Sequence, residues 1–161
     1  MRDSTTVSLR LLIVDDHPVV REGLRSMLAG TAIDVVGEAG TAAEAIRLGA
    51  EAAPDVVLLD LGLPDLDGLS TITRLKQARP PAAVLVLTMH DDPALVRGAV
   101  QAGAAGYVLK GVSRQELLAA VDAVTMARRC STRSCSAHWP ARPVRRVARR
   151  RSRRSSTTCC S

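Results

Sequence analysis

The sequence predicts an α/β fold: a doubly wound, five-stranded parallel sheet with helices on both faces, forming a three-layer α/β/α sandwich. The first observation is five short apolar runs between residues 9 and 126, at Leu9–Val14, Ile33–Gly37, Asp55–Leu59, Ala83–Leu87 and Gly106–Leu109. They alternate with segments of helical period, as in repeated βα units. The second is that each run is mostly apolar rather than alternating, the pattern of parallel strands shielded on both faces, so five buried strands are expected. The third is a set of helix starts. Pro18 and Pro93 stand where a first-turn proline is tolerated, and Asp92 precedes Pro93 as a cap. Thr41-x-x-Glu44 and Ser113-x-x-Glu116 are capping boxes.

The segments between the runs can each lay one face on the sheet. Val20, Leu24, Met27 and Leu28 recur at helical spacing, as do Leu117, Leu118, Val121 and Val124. Right-handed crossovers with helices on both faces favour the strand order 2-1-3-4-5. In such a sheet ligands bind at the carboxyl ends of the strands, beside the switch point between the first and third.

With 161 residues and 47% hydrophobic content, the chain suits one domain with an appendage. Its net charge of +6 hides a division. Residues 1–127 hold 11 Lys+Arg and all 16 Asp+Glu, for −5, whereas residues 128–161 hold 11 Arg and no acid, for +11. The basic segment also has all four cysteines (Cys130, Cys135, Cys159, Cys160), the only Trp, and no Leu, Ile, Met or Phe with which to build a core. The expected organisation is a disordered N-terminus over 1–8, a folded domain over 9–126 and a disordered Arg/Ser/Cys-rich tail over 127–161. The first residues start no apolar stretch of a secretory signal, and the apolar runs fall far short of the roughly 20 residues that span a bilayer. A soluble, cytoplasmic body without a membrane partner is therefore expected. The body has no Cys to form a disulfide, and the tail cysteines, with His138 as the sole nearby imidazole, match no zinc pattern.

The strand ends carry the candidate chemistry. The first run ends in Val14-Asp15-Asp16 and the third in Leu58-Leu59-Asp60, so three carboxylates converge on the crevice. Any one of them could simply cap the following helix. Together their repulsion is sustainable with a cation among them, and all-oxygen ligands with room for water suit Mg²⁺. The fourth run is followed by Thr88 and the fifth by Lys110, adding a hydroxyl and an ammonium to the same rim. A lysine emerging from buried strand surface is best satisfied by a carboxylate or a phosphate.

Five motifs in order, Leu12-Ile13-Val14-Asp15-Asp16, Leu58-Leu59-Asp60, Pro64 with Gly68, Leu87-Thr88, and Gly106-Tyr107-Val108-Leu109-Lys110, make residues 9–126 resemble the receiver domain of bacterial two-component response regulators, a flavodoxin-like fold. Leu87-Thr88-Met89-His90-Asp91-Asp92 and the stretch from Val14 to Leu24 are most similar to receivers that precede a LuxR-type helix-turn-helix domain. The resemblance implies a phosphoprotein of phosphorelay signal transduction and transcription regulation rather than a conventional enzyme. Asp60 would accept a phosphoryl group from a sensor histidine kinase. Asp15, Asp16, Asp60 and the main-chain carbonyl of Gly62 would hold Mg²⁺, with Lys110 and Thr88 neutralising phosphoryl oxygens. Thr88 would then turn toward the phosphoryl group, and Tyr107, the only Phe, Tyr or Trp of the body, would rotate inward as a switch. Homodimerisation through the fourth or fifth helix is a further implication. Gly62 departs from the larger side chains usual two positions after the phosphoacceptor, which removes side-chain control over dephosphorylation. His17 and His90 receive no chemical role, since a lone His near a loop is most often a polar surface group.

Other classes fit less well. Haloacid-dehalogenase-type phosphatases share an Asp nucleophile, Mg²⁺, Thr and Lys, but need an acid where Gly62 stands. A flavodoxin-like redox protein would need a Ser/Thr/Gly-rich phosphate loop after the first strand, where two aspartates would repel the phosphate. A third reading makes the chain a basic-tailed nucleic-acid-binding protein, with the receiver serving only as an interaction module. A DNA-binding output domain of roughly 60 residues would need periodic Leu, Ile and Val, which the segment after 126 lacks. The abrupt change of composition favours an out-of-frame segment after about residue 127 over a genuine basic arm. DNA is a partner only through an output domain or through the tail.

Overall fold

A computed structural model describes residues 8–79, 81–89 and 91–131. The expected disordered N-terminus up to residue 7, His90 and the tail from residue 132 lie outside the described residues. Ten elements alternate along the chain: β1 (Leu9–Val14), α1 (Pro18–Leu28), β2 (Ile33–Ala39), α2 (Ala42–Glu51), β3 (Val56–Asp60), α3 (Gly68–Ala78), β4 (Ala83–Thr88), α4 (Pro93–Ala102), β5 (Gly106–Leu109) and α5 (Arg114–Ser131). The strands form one parallel sheet of order β2-β1-β3-β4-β5, the flavodoxin-like arrangement expected. Among the described residues no helix is long and apolar enough to cross a membrane.

Successive side chains of a strand point to opposite faces, so each central strand feeds two cores. Leu11 and Ile13 of β1 and Leu58 of β3 pack with Leu24 and Leu28 of α1 and with Leu117, Val121 and Val124 of α5. Leu12, Val14, Val57 and Leu59 face the other way, onto Ala45 of α2, Ile72 and Leu75 of α3 and Ala99 of α4. Without any Phe, both cores are essentially aliphatic. The helix starts behave as their sequences predict. Thr41 Oγ1 accepts the Glu44 N–H at 3.2 Å, Asp92 Oδ1 accepts the Ala94 N–H at 2.9 Å, and Ser113 and Glu116 bond reciprocally.

The expectation of five buried strands holds for β3 and β4, whose residues are all buried, and must be corrected for β2 and β5. These two form the sheet edges, each with a neighbour on one side only, and most of their residues are half-buried. β2 also runs two residues beyond its apolar stretch, to Ala39, with a register shift opposite Leu11 and Leu12. An edge strand tolerates the polar Glu38 that this extension includes.

At the amino-end pole of the sheet, Asp55 binds three segments together. Its Oδ1 accepts from Arg128 Nη1 at 2.6 Å, and its Oδ2 accepts the Arg10 N–H at 3.1 Å. The Arg10 guanidinium in turn donates to the Ala52 carbonyl at 2.7 Å. α5 thus continues past residue 126, where the composition changes, and Arg128 pins its last turns to the start of β3. Burial pushes the Asp55 carboxyl up, but the Arg128 hydrogen bond, the Arg10 amide and the two guanidinium charges outweigh it and hold the group below 3.8.

Two measurements check these assignments. Leu58→Ala, at a position with 0% exposure, should cost about 3 kcal/mol of unfolding free energy in urea, whereas Val19→Ala, at 80% exposure, should stay within about 0.5 kcal/mol of wild type. Because the Asp55 pKa is depressed on folding, its contribution is complete above pH 3.8 and is lost as the pH falls through the folded value. The stability gap between wild type and Arg128→Ala should therefore be constant near neutrality and close below about pH 3.8; a gap that persists unchanged in acid would exclude the pairing.

Candidate functional site

The reversal of strand order beside β1 opens a crevice at the carboxyl ends of β1 and β3. Asp15 directly follows β1, Asp60 ends β3, Thr88 ends β4 and Lys110 directly follows β5. The register sets Val14 beside Leu59, Asp60 beside Leu87 and Thr88 beside Leu109, which delivers the four residues to one rim. The Lys110 N–H donates to the Thr88 carbonyl at 2.7 Å, continuing the ladder one residue past β5.

Lys110 spans the two buried carboxylates. Its Nζ lies 2.6 Å from Asp15 Oδ2 and 3.0 Å from Asp60 Oδ2, and its side chain is only 13% exposed. Burial pushes the ammonium toward deprotonation, but the hydrogen bonds and negative charges of Asp15 and Asp60 outweigh this and raise its pKa above 10.5. Asp16 is half-buried beside them, so one ammonium faces three carboxylates.

The residues fit a divalent cation on two grounds. Asp15, Asp16, His17 and Asp60 each offer a ligand atom within 4.8 Å of the others. Asp16 Oδ1 is also buried without a hydrogen-bond partner, an oxygen that a cation would satisfy. Asp15 does not act as an ordinary helix cap. Its Oδ1 accepts the His17 N–H at 2.9 Å and its Oδ2 is committed to Lys110, while the N-cap of α1 is His17.

Gly62 sits over the phosphoacceptor candidate. Its N–H donates to Asp60 Oδ1 at 3.2 Å, and a Cβ at this position would stand 3.6 Å from Asp60 Oδ2. A larger side chain here would overhang the carboxylate, and glycine leaves that approach open. Thr88 is buried at the same rim. Tyr107 pairs with Val86 across the sheet and is half-buried against the α2–α4 core.

Several supporting residues escaped the sequence reading. Arg21 of α1 donates from Nη1 to the Asp15 carbonyl at 2.6 Å and is itself steadied by Glu38 at 3.4 Å. Asp65 accepts the N–H groups of Ala42 and Ala43 at 2.8 and 3.0 Å, tying the loop after β3 to the start of α2. Those two amides hold the Asp65 carboxyl below its usual range. Asp67 caps α3 through the Ser70 N–H. The noted Pro64 and Gly68 pair belongs to this loop, and Gly68 has a steric reason: a Cβ there would come 2.7 Å from Leu61 Cα. His17, given no chemical role from the sequence, places its Nδ1 2.7 Å from Asp16 Oδ1 and 3.2 Å from Asp15 Oδ1 although its side chain is 67% exposed. Its position directly after the acidic pair was the only signal available in the sequence.

Residues 11–122 match the family model of the response regulator receiver domain, and the chain belongs to that family. The transcriptional regulatory protein MctR of Rhizobium johnstonii is 38% identical over 117 residues, 72% of this chain and 55% of that protein. The uncharacterized transcriptional regulatory protein YhcZ of Bacillus subtilis is 44% identical over 111 residues, 68% of this chain and 52% of its own length. The chain thus spans about half the length of the curated relatives it matches. Among solved structures, a two-component response regulator of the LuxR family from Aurantimonas superposes with a TM-score of 0.71 at 40% identity, covering 75% of this chain and 87% of that one. The isolated receiver domain of RcsB from Salmonella enterica serovar Typhimurium, in the presence of the phosphomimetic BeF3−, gives 0.68 at 29% identity, covering 74% and 89%. The LuxR-type resemblance read from the motifs agrees with these relatives.

The bridge formed by Lys110 is open to a double-mutant cycle. Lys110→Met leaves two carboxylates facing each other without an internal cation and should cost about 3 kcal/mol in the presence of a chelator. Adding Asp15→Asn should recover part of that loss, with a coupling of about 1–3 kcal/mol by urea unfolding. Strict additivity would show that Lys110 does not stabilise the pair.

Proposed function

We propose that this chain is a phosphoryl-accepting receiver of a two-component system, taking its phosphoryl group on Asp60 from the phosphohistidine of a sensor histidine kinase. The single observation that carries this reading is the Lys110 ammonium, 2.6 Å from Asp15 Oδ2 and 3.0 Å from Asp60 Oδ2, at the sheet's switch-point crevice. An Asp60 carboxylate oxygen attacks phosphorus, the P–N bond breaks, the imidazole leaves with a proton from solvent, and an acyl phosphate forms. Its later hydrolysis resets the site.

Asp15, Asp16, Asp60 and the Gly62 carbonyl would hold Mg²⁺. When bound, the ion supplies neutralising positive charge to the phosphoryl oxygens. Lys110 moves its charge from the Asp60 carboxylate to a phosphoryl oxygen, and the Thr88 hydroxyl donates to another. As Thr88 turns, Tyr107 follows inward and converts a local charge into a changed surface near α4 and β5. The open approach above Asp60 at Gly62 leaves hydrolysis of the acyl phosphate without side-chain control at that position. Homodimerisation on phosphorylation and control of transcription complete the reading, the latter supported by the names of the relatives MctR and YhcZ.

The test is intact-mass measurement after incubation with acetyl phosphate or a phosphorylated histidine kinase. One phosphoryl group should be added in Mg²⁺, none in excess chelator, and none to Asp60→Ala under either condition. Equal addition to wild type and Asp60→Ala, or none to a wild-type chain shown to be folded, would overturn the assignment.

A further inference from the structure

His17 stands directly after the acidic pair and directly before Pro18, and a residue preceding proline is confined to extended backbone. It has φ −93° and ψ 113°, and in that conformation its imidazole reaches back over the carboxylates it follows. Nδ1 approaches Asp16 Oδ1 to 2.7 Å, yet that oxygen is buried with no hydrogen-bond partner, because the approach lacks hydrogen-bonding geometry. A nitrogen and an oxygen facing each other at this range are placed as neighbouring ligands of one ion: with bonds of about 2.1 Å at right angles, such atoms stand about 3 Å apart. Asp15 Oδ1, at 3.2 Å from the same nitrogen, meets that spacing too. When Nδ1 carries the proton it can donate to Asp15 Oδ1 instead; the ligand form carries the proton on Nε2.

We propose that His17 Nδ1 is a direct ligand of the divalent cation in this site, so that three carboxylates and one imidazole make up the protein's side-chain donors. The inference rests on the cation site of the proposed function and goes beyond it in the choice of ion. Mg²⁺ favours oxygen donors, whereas imidazole suits the later divalent ions, so His17 shifts preference toward Co²⁺, Ni²⁺ and Zn²⁺. The ring is two-thirds exposed, which leaves that side of the site accessible to ions exchanging with solvent. The phosphoryl switch thereby becomes responsive to the supply of transition-metal ions as well as to its kinase.

The test uses the full chain with Mn²⁺ as probe, beside Mg²⁺. Pulsed electron paramagnetic resonance of the Mn²⁺-loaded protein should show coupling to one imidazole nitrogen, and His17→Gln should abolish it. By calorimetry, with Ni²⁺ added as a further probe, His17→Gln should weaken Ni²⁺ binding by about tenfold while changing Mg²⁺ binding less than about threefold, lowering the Ni²⁺/Mg²⁺ affinity ratio. Circular dichroism and Tm confirm that the variant, altered at an exposed side chain, remains folded. Mn²⁺ bound without nitrogen coupling, or an affinity ratio unchanged in His17→Gln, would overturn the ligand role and leave the cation site intact. Binding of none of these ions to wild type, or binding indifferent to Asp16→Ala, would overturn the cation site itself and this inference with it.

Discussion

Lys110 answers a problem that the fold creates at its own switch point. Parallel strands of this order deliver Asp15 and Asp60 side by side where β1 and β3 end, and both are buried. Unit charges about 4 Å apart near a protein surface interact by roughly 4 kcal/mol, so two such carboxylates are costly to hold without a cation between them. The ammonium, reaching across from the end of β5, contacts both. It neutralises one charge and leaves the excess of Asp60 and Asp16 to attract a further cation. Fold stability and chemical readiness therefore depend on the same contact.

The remainder of the site is arranged so that this charge cluster cannot relax by moving apart. Strands β1, β3 and β4, packed on both faces, fix the positions of Asp15, Asp60 and Thr88. The loops that complete the rim are held by bonds that cross the chain. Arg21 holds the Asp15 carbonyl, Asp65 holds the loop after Asp60 against α2, and Gly68 lets α3 begin in contact with Leu61. At the opposite pole, Asp55 joins β1, β3 and the end of α5, so the helix that follows the lysine-bearing strand is anchored at its far end.

What was legible in the sequence shares a physical basis. Capping boxes at Thr41 and Ser113, the Asp92 cap and the five apolar runs depend on neighbours within a few residues; the caps form as read and each run becomes a strand whose ends lie within two residues of it. The burial of β2 and β5 was overestimated because an apolar run does not declare whether its strand is central or at an edge. Asp65 was missed because its partners lie 23 and 22 residues away, and Arg128 because its partner lies 73 residues away. His17 was read as a surface group, and its exposure agrees, but the pre-proline turn that brings its nitrogen to the carboxylates is visible only in three dimensions.

The sequence by itself determined the alternation of strands and helices, the strand order and the identity of the groups at the strand ends, because hydrophobic period, helix capping and the handedness of crossovers are local or topological rules. Only the tertiary structure decided which of those groups meet. Whether Lys110 binds one carboxylate or two, whether an oxygen of Asp16 is left without a partner, and whether an imidazole joins the cluster depend on distances of a few tenths of an ångström between segments far apart in the chain. Such distances follow from packing two cores against one sheet, and no pattern of residue types along the chain contains them.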